Sequence, residues 1–306
     1  MSHSKLSIVI VNWKTPILLA GCLKSIEADS GFSQFTIYVV DNNSQDQSVS
    51  LIEEDFPYVR LQANQANIGF SRACNQIIGK VESQFILLLN PDTVVEGDAI
   101  SKLMQFIETH PDCGAVGPKV LNPDRSLQLA CRRSFPSPSA AFFRLTYLSR
   151  LFPRNAMFSK YNMTYEDPDS CTEVDALSGS CMMVRKTAID EIGLLDEEIF
   201  MFGEDIDWCW RIKEANWKIF YLPDAVVEHA HGASSRLRPI GATIDLHKGM
   251  EVFYRKHLAS KYWAPFNALV YAAIWMRAII FVVINFVRAK SAVGVPAKSS
   301  KSERFS

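Results

Sequence analysis

Phe85 to Leu89 is a run of five apolar residues, FILLL, that stops at Asn90, Pro91 and Asp92. A strand without polar alternation has to be buried on both faces, which is the condition of a central strand in a sheet covered by helices on each side. Pro91 fixes its own φ and biases Asn90 towards extended backbone. Asp92 is therefore held in a tight turn just past the carboxyl end of a central strand, where open α/β sheets bind their ligands. A carboxylate there can serve as a metal ligand; the competing assignment is a cap for a following helix.

The flanking stretches alternate in the same sense. Leu6 to Val11 reads as a buried strand, followed by Thr15 and Pro16 as N-cap and first position of a helix whose apolar face is Leu18, Leu19, Cys22, Leu23 and Ile26. Phe35 to Val40 is a second strand closing at Asp41, with a polar turn over Asn42 to Gln47 and a short helix carrying Val49, Leu51 and Ile52. Val59 to Gln62 is a third, weaker strand. Phe70, Ala73, Cys74, Ile77 and Ile78 fall at helical spacing, which predicts a helix opening just after Gly69. A helix over 98–109 and a strand over 115–120 follow. This alternation predicts an α/β fold with a doubly wound, mainly parallel sheet.

From Asn122 to Asp169 the pattern dissolves into prolines, aromatics and basic residues, the composition of a covering loop that faces substrate. Beyond it, Ser180 to Arg185 reads as a strand, Lys186 to Ile192 as a short helix, Asp205 to Ala215 as a helix with acids in its first turn, and Trp217 to Leu222 as a strand leading to His229. A length of 306 residues allows one large domain or two small ones, and a net charge of -1 removes the basic excess that nucleic-acid binding requires. Seven cysteines without a CxxC pair read as reduced, buried thiols. The apolar run at the amino terminus is too short for a signal peptide, so the catalytic part is expected in the cytoplasm.

The tail differs in kind. Ala264 to Val287 is interrupted only by Asn267, Arg277 and Asn285, and at about 1.5 Å per residue it is long enough for a hydrocarbon core. At about 100° per residue Asn267 and Asn285 coincide and Arg277 lies about 80° away, so the polar groups share one sector. Basic residues flank both ends, which favours a helix lying in the interface over one that crosses, with a soluble packing helix as the third alternative. The organisation expected is a catalytic domain over 1–260, a membrane-associating apolar helical segment over 261–290 and a disordered tail over 291–306.

Seven stretches occur in order on these elements: IVIVNWKT, VVDNNSQD, NIGFSRACN, LLLNPDTVV, LSGSCMMVR, FMFGEDIDWCWR, and His229 followed by Gly232 and Ser234. Over about residues 5–235 they resemble family-2 glycosyltransferases of the GT-A fold, and within them the bacterial rhamnosyltransferase-like branch. The resemblance implies that Asp41 accepts a hydrogen bond from the pyrimidine of a nucleotide-sugar donor, the alternative being an Asx turn with Asn43. It implies that Asn67, Gly69 and Asn75 line the nucleoside, and that Gly179 and Ser180 line the donor sugar and acceptor. Asp92 matches the last acid of the family's Asp-x-Asp metal motif, whose first position is here Asn90. His229 matches a histidine that completes the metal site, with His231 as competitor; the cofactor is Mg²⁺ or Mn²⁺, with His ligation tilting towards Mn²⁺.

Within the Glu204–Asp205 pair the resemblance aligns Asp205 with the general base, while Glu204 orients the acceptor. Acids at a helix start also simply offset the helix dipole. Trp208, Trp210 and Arg211 read as packing residues. The activity implied is inverting transfer of a sugar, best read as L-rhamnose from dTDP-rhamnose, to a lipid-linked or polysaccharide acceptor in cell-surface glycan synthesis at the cytoplasmic face of the inner membrane. UDP-galactofuranose, UDP-glucose and UDP-GlcNAc remain open as donors, as does a non-catalytic sugar-binding subunit. A nucleotidyltransferase would need a glycine-rich basic loop that VNWKTPI lacks.

Overall fold

A computed structural model describes residues 4–230 and 232–293, so His231 and nearly all of the expected disordered tail lie outside the described residues. The first half comprises β1 (Leu6–Asn12), α1 (Pro16–Glu27), β2 (Phe35–Asp41), α2 (Ser48–Asp55), β3 (Arg60–Ala63), α3 (Phe70–Ile78) and β4 (Phe85–Leu89). Strands β3, β2, β1 and β4 pair in parallel in that spatial order, with Asn12 opposite Asp41 and Ile10 opposite Leu89. Every residue of β1 and β4 is buried, as unbroken apolar runs require of strands covered on both faces. In α1 the buried face is Leu19, Cys22, Leu23 and Ile26, whereas Leu18 turns out towards solvent.

The second half comprises β5 (Thr93–Glu96), α4 (Ala99–Thr109), β6 (Cys113–Leu121), β7 (Arg132–Arg133), α5 (Pro138–Leu145), α6 (Leu148–Leu151), β8 (Thr172–Glu173), β9 (Ala176–Leu177), β10 (Cys181–Arg185), α7 (Lys186–Ile192), α8 (Glu204–Glu214), β11 (Lys218–His229), α9 (Pro239–Phe253) and α10 (Ala264–Val293). The main sheet runs β3-β2-β1-β4-β10-β6-β11-β5, with β8 also on β11; β7 and β9 form a separate ladder. The sheet is mixed and mainly parallel, because β10 enters antiparallel between β4 and β6, and β5 and β8 run antiparallel to β11. Asp92 is followed by strand β5 and not by a helix, which removes the capping assignment. The seven cysteines are free thiols, of which only Cys171 is exposed.

Sequence periodicity does not reveal α9, whose apolar and polar residues alternate around all of its faces. Helix α10 packs along it. Tyr254 Oη donates to Asn267 Oδ1 (2.7 Å), Arg277 Nη1 lies 3.1 Å from His247 Nε2, and Asn285 Nδ2 donates to Thr243 Oγ1 (2.9 Å). The polar sector of α10 is thus turned onto the protein, and Leu269, Met276, Ile279, Ile280 and Val283 are each more than half exposed.

At the entry to α3, Gly69 adopts φ +90° and the Phe70 N–H donates to the Phe200 carbonyl at 2.7 Å. A Cβ on Gly69 would sit 2.7 Å from that same carbonyl oxygen. Gly69→Ala should therefore destabilise the protein by about 1–3 kcal/mol, from backbone strain and the forced separation of the two segments. Urea denaturation measures it; an unchanged midpoint would mean that the close approach is not required.

Candidate active site

The carboxyl ends of β1, β2, β4 and β11 and the amino end of β10 meet on one edge of the sheet, and the polar residues singled out above gather there. Asp92 stands in the turn after β4, and His229 is the last residue of β11, opposite Thr93 of β5. His229 Nε2 lies 3.1 Å from Asp92 Oδ1, and the Ala230 N–H donates to the Asp92 carbonyl at 2.9 Å. Both side chains are buried.

Gln128 settles the histidine tautomer. Its Nε2 donates to the His229 carbonyl (2.7 Å), so Oε1 faces the ring at 3.0 Å and accepts from Nδ1–H. Nε2 then turns to Asp92 and to the Asn90 amide at 3.2 Å. A ring nitrogen held against a carboxylate calls for a proton or a cation between them. Burial pushes the Asp92 carboxyl up, but the hydrogen bond and charge of His229 and the Ala233 N–H outweigh it and hold the group below its ordinary value. No group of three or more His, Cys, Asp or Glu placed to hold a metal ion occurs among the described residues. One carboxylate and one imidazole nonetheless fit a hard divalent ion, because such ions draw their remaining ligands from water and phosphate oxygens.

The other half of the site is carried by α8. The Asn90 N–H donates to the Ser180 carbonyl (2.9 Å) and the Gly179 N–H donates to Asp205 Oδ2 (3.1 Å), so the 178–180 turn joins the two halves. Ser180 is buried, its Oγ 3.0 Å from Ser178 Oγ. A Cβ on Gly179 would lie 3.4 Å from Asp205 Cβ and 3.8 Å from Glu204 Oε1, in ordinary van der Waals contact, so Gly179 lies directly against both acids.

Asp205 Oδ2 also accepts from Arg133 Nη2 at 2.6 Å, while among the described residues Oδ1 accepts only the Ile206 N–H (2.8 Å). Arg133 is buried and donates as well to the Leu177 carbonyl (2.6 Å). Glu204 is buried beside it with Oε2 lacking a hydrogen-bond partner. Burial, and secondarily the charge of Asp205, push Glu204 up to about 8. Asp207 belongs elsewhere, bound to Arg211 at 2.7 Å and His257 at 2.7 Å. Three neighbouring acids are thus sorted into three environments. Sequence reasoning does not find Arg133 or Gln128: both lie in the aperiodic 122–169 stretch, and nothing local separates Arg133 from Arg132.

On the far side, Asp41 closes β2. Its Oδ1 accepts from Asn12 Nδ2 (2.9 Å) and its Oδ2 from the Ser44 N–H (2.9 Å), so it does build a turn, with Ser44 and not Asn43 as partner. Asn67 Oδ1 accepts the Gly69 N–H (3.1 Å), and the Gly69 carbonyl accepts from Asn42 Nδ2. Asn75 bonds both N–H and C=O of Leu195. Gly69 and Asn75 together fix the 195–200 segment against α3, and the close backbone approach at Gly69 is made to Phe200.

Residues 3–242 match the family described as "Glycosyltransferase like family 2". The chain belongs to that family. It is 27% identical, over 83% of its length and 86% of the relative's, to the N-acetylglucosaminyl-diphospho-decaprenol L-rhamnosyltransferase of Mycobacterium tuberculosis strain H37Rv. Over 49% of its length and 54% of the relative's it is 26% identical to the rhamnosyltransferase WbbL of Escherichia coli K12. Among solved structures, the mannosyltransferase PcManGT from Pyrobaculum calidifontis, in complex with GDP-Man and Mn²⁺, superposes with a TM-score of 0.56 at 14% identity, covering 97% of this chain and 78% of that one. At that identity the likeness is one of fold, and the fold is of the GT-A type.

In this glycosyltransferase the shift of Glu204 has a consequence for stability. Between its ordinary value of 4.5 and about 8, folded Glu204 keeps a proton that the unfolded chain releases, so the wild type loses stability as pH rises through that window. Glu204→Gln removes the penalty. The stability advantage of the Gln variant over wild type should grow from pH 5 to pH 8.5, as measured by urea unfolding at the two pH values; a constant difference would place Glu204 at its ordinary value.

Proposed function

We propose that the protein is an inverting, metal-dependent rhamnosyltransferase that moves L-rhamnose from dTDP-rhamnose to a lipid-linked or polysaccharide acceptor in cell-surface glycan synthesis. The observation that carries the reading is the joining of the buried Asp92–His229 pair to the Asp205–Glu204 pair through the single turn 178–180. The names of the two bacterial relatives support the choice of sugar.

Asp92 and His229 would hold Mg²⁺ or Mn²⁺, with Asn90 beside them; such an ion offsets the charge of a departing nucleotide diphosphate. Asp41 and Asn67, at the ends of β2 and before α3, serve the base and nucleoside, while Gly69 and Asn75 shape that side of the pocket by holding the 195–200 segment. Gly179 and Ser180 leave room for the sugar. Asp205 is pinned through Oδ2 by Arg133 and Gly179, so Oδ1 is the oxygen available to the acceptor. The acceptor oxygen bonds to the anomeric carbon, its proton passes to Asp205, and the bond from that carbon to the diphosphate oxygen breaks with its electron pair on the diphosphate. Attack opposite to the leaving group inverts the centre. Protonated Glu204 donates a hydrogen bond that orients the acceptor.

Helix α10 supports attachment at the cytoplasmic face of a membrane by lying in the interface. Its polar sector is tied to α9 and its neighbours from Asn267 to Asn285, so a crossing would drag the charged groups of α9 into hydrocarbon.

Asp205→Asn keeps the shape and removes the base, so turnover should fall by at least about 10²-fold with donor binding nearly unchanged; near-normal turnover would take Asp205 out of that role. A screen of dTDP- and UDP-sugars that reads nucleotide diphosphate release tests the rest. Activity should be greatest with dTDP-rhamnose, vanish with EDTA, return with Mg²⁺ or Mn²⁺, and be lost in a folded Asp92→Ala variant. Full activity in metal-stripped protein would remove the ion, and preference for a UDP-sugar would reassign the donor.

A further inference from the structure

From Ser134 to Tyr165 the chain contains no Asp or Glu but four basic residues, Arg144, Arg150, Arg154 and Lys160, although the whole chain is balanced at 32 basic to 33 acidic residues. All four are exposed. The same segment carries α5 and α6 and exposes Phe142, Tyr147, Leu151, Phe152 and Met157, each by half or more. These side chains sit on a built base. The Phe143 ring meets Phe158 edge-on at 5.1 Å, Phe152 lies 5.5 Å from Phe158, and Ser159 Oγ donates to the Phe152 carbonyl at 2.9 Å.

The segment is continuous with the foot of α10. Phe135 packs against Phe253, Tyr254 and Leu258, the cluster that also receives Val270 and Tyr271. Arg144 comes near enough to Arg277 for the two charges to repel. A surface that mixes exposed aromatic and aliphatic side chains with uncompensated positive charge fits an anionic lipid headgroup layer, where rings and aliphatic chains enter the interface and Arg and Lys meet phosphate. A second copy of this chain fits poorly, because a symmetric contact would set the four cations against themselves.

We propose that the α5–α6 segment is a second lipid-facing surface, which docks on an anionic membrane beside α10. The proposal rests on the reading that α10 lies on the membrane, and the two can be tested separately. At its amino-terminal end the segment begins beside β7, whose Arg133 holds Asp205. Docking would therefore bring the acceptor side of the site to the membrane surface.

The test uses the full chain with Cys171→Ser, which removes its exposed thiol. A polarity-sensitive fluorophore is attached at Leu151→Cys or, in a second protein, at Met276→Cys on α10. Each is mixed with vesicles of phosphatidylcholine alone or with added phosphatidylglycerol. The label at 151 should shift to the blue only with phosphatidylglycerol and lose that shift in high salt. Changing Arg144, Arg150, Arg154 and Lys160 together to Gln should weaken this response by roughly tenfold or more, while the label at 276 still enters the apolar phase. A label at 151 that stays in water on vesicles where 276 has entered would overturn the proposal and leave the reading of α10 standing. A shift at 151 without one at 276 would uphold the proposal and overturn that reading. An equal shift on phosphatidylcholine alone, or one that grows with protein concentration without vesicles, would also overturn the proposal, the latter in favour of self-association.

Discussion

The antiparallel entry of β10 between β4 and β6 is the constraint from which the site follows. These two strands have no direct pairing, and the five residues Cys181–Arg185 supply the ladder that joins the two halves of the sheet. Because β10 runs against its neighbours, it must start on the edge where β4 ends. Its approach, Ser178 to Ser180, is thereby delivered among the carboxyl ends of the parallel strands, where backbone groups left over by the ladder are free to bind other elements. Ser180 then takes the Asn90 N–H, and Gly179 gives its own N–H to Asp205. Another parallel strand would instead have begun at the opposite edge of the sheet.

Charge at the site is handled by pairing and by neutralisation. Asp205 is compensated by the buried Arg133 and Asp207 by Arg211, while His229 lies against Asp92 and His257 against Asp207. Glu204 has no cationic partner of its own, so burial keeps its proton on. A buried carboxylate without a counter-charge is costly, and protonation is the cheaper state. The result is one protonated acid and one paired carboxylate side by side, the arrangement on which the proposed mechanism draws. The Asp207–His257 bond has a different office: it ties α8 to the π-helical turn between α9 and α10, so α8 and the α9–α10 pair form one packed unit.

Much of this architecture is legible along the chain because burial on both faces leaves an unmistakable signature. The runs that become β1, β2 and β4 have no polar alternation, and α3 has apolar residues at strict helical spacing. The sector shared by Asn267, Arg277 and Asn285 also reads directly, and it is the sector that meets α9. Other elements leave no such mark. Five residues at β10, four of them apolar, do not carry a direction, four residues at β5 are too short to show a period, and the prolines and aromatics of 122–169 conceal β7, α5 and α6 within what reads as a loop.

Sequence by itself therefore determined the strands and helices with strong burial signatures, the edge of the sheet on which the candidate site gathers, and which acids stand on that edge, since each depends on local patterns of burial and backbone preference. Tertiary structure alone decided what those acids are bonded to. Gln128 reaches His229 across 101 residues and Arg133 reaches Asp205 across 72, and neither partner announces itself nearby. Such pairs form only when strand order and register bring their donors within about 3 Å of an acceptor. The state of each carboxylate, neutral at Glu204 and ion-paired at Asp205, is set by that same convergence, because it depends on which charges remain in reach after water has been excluded.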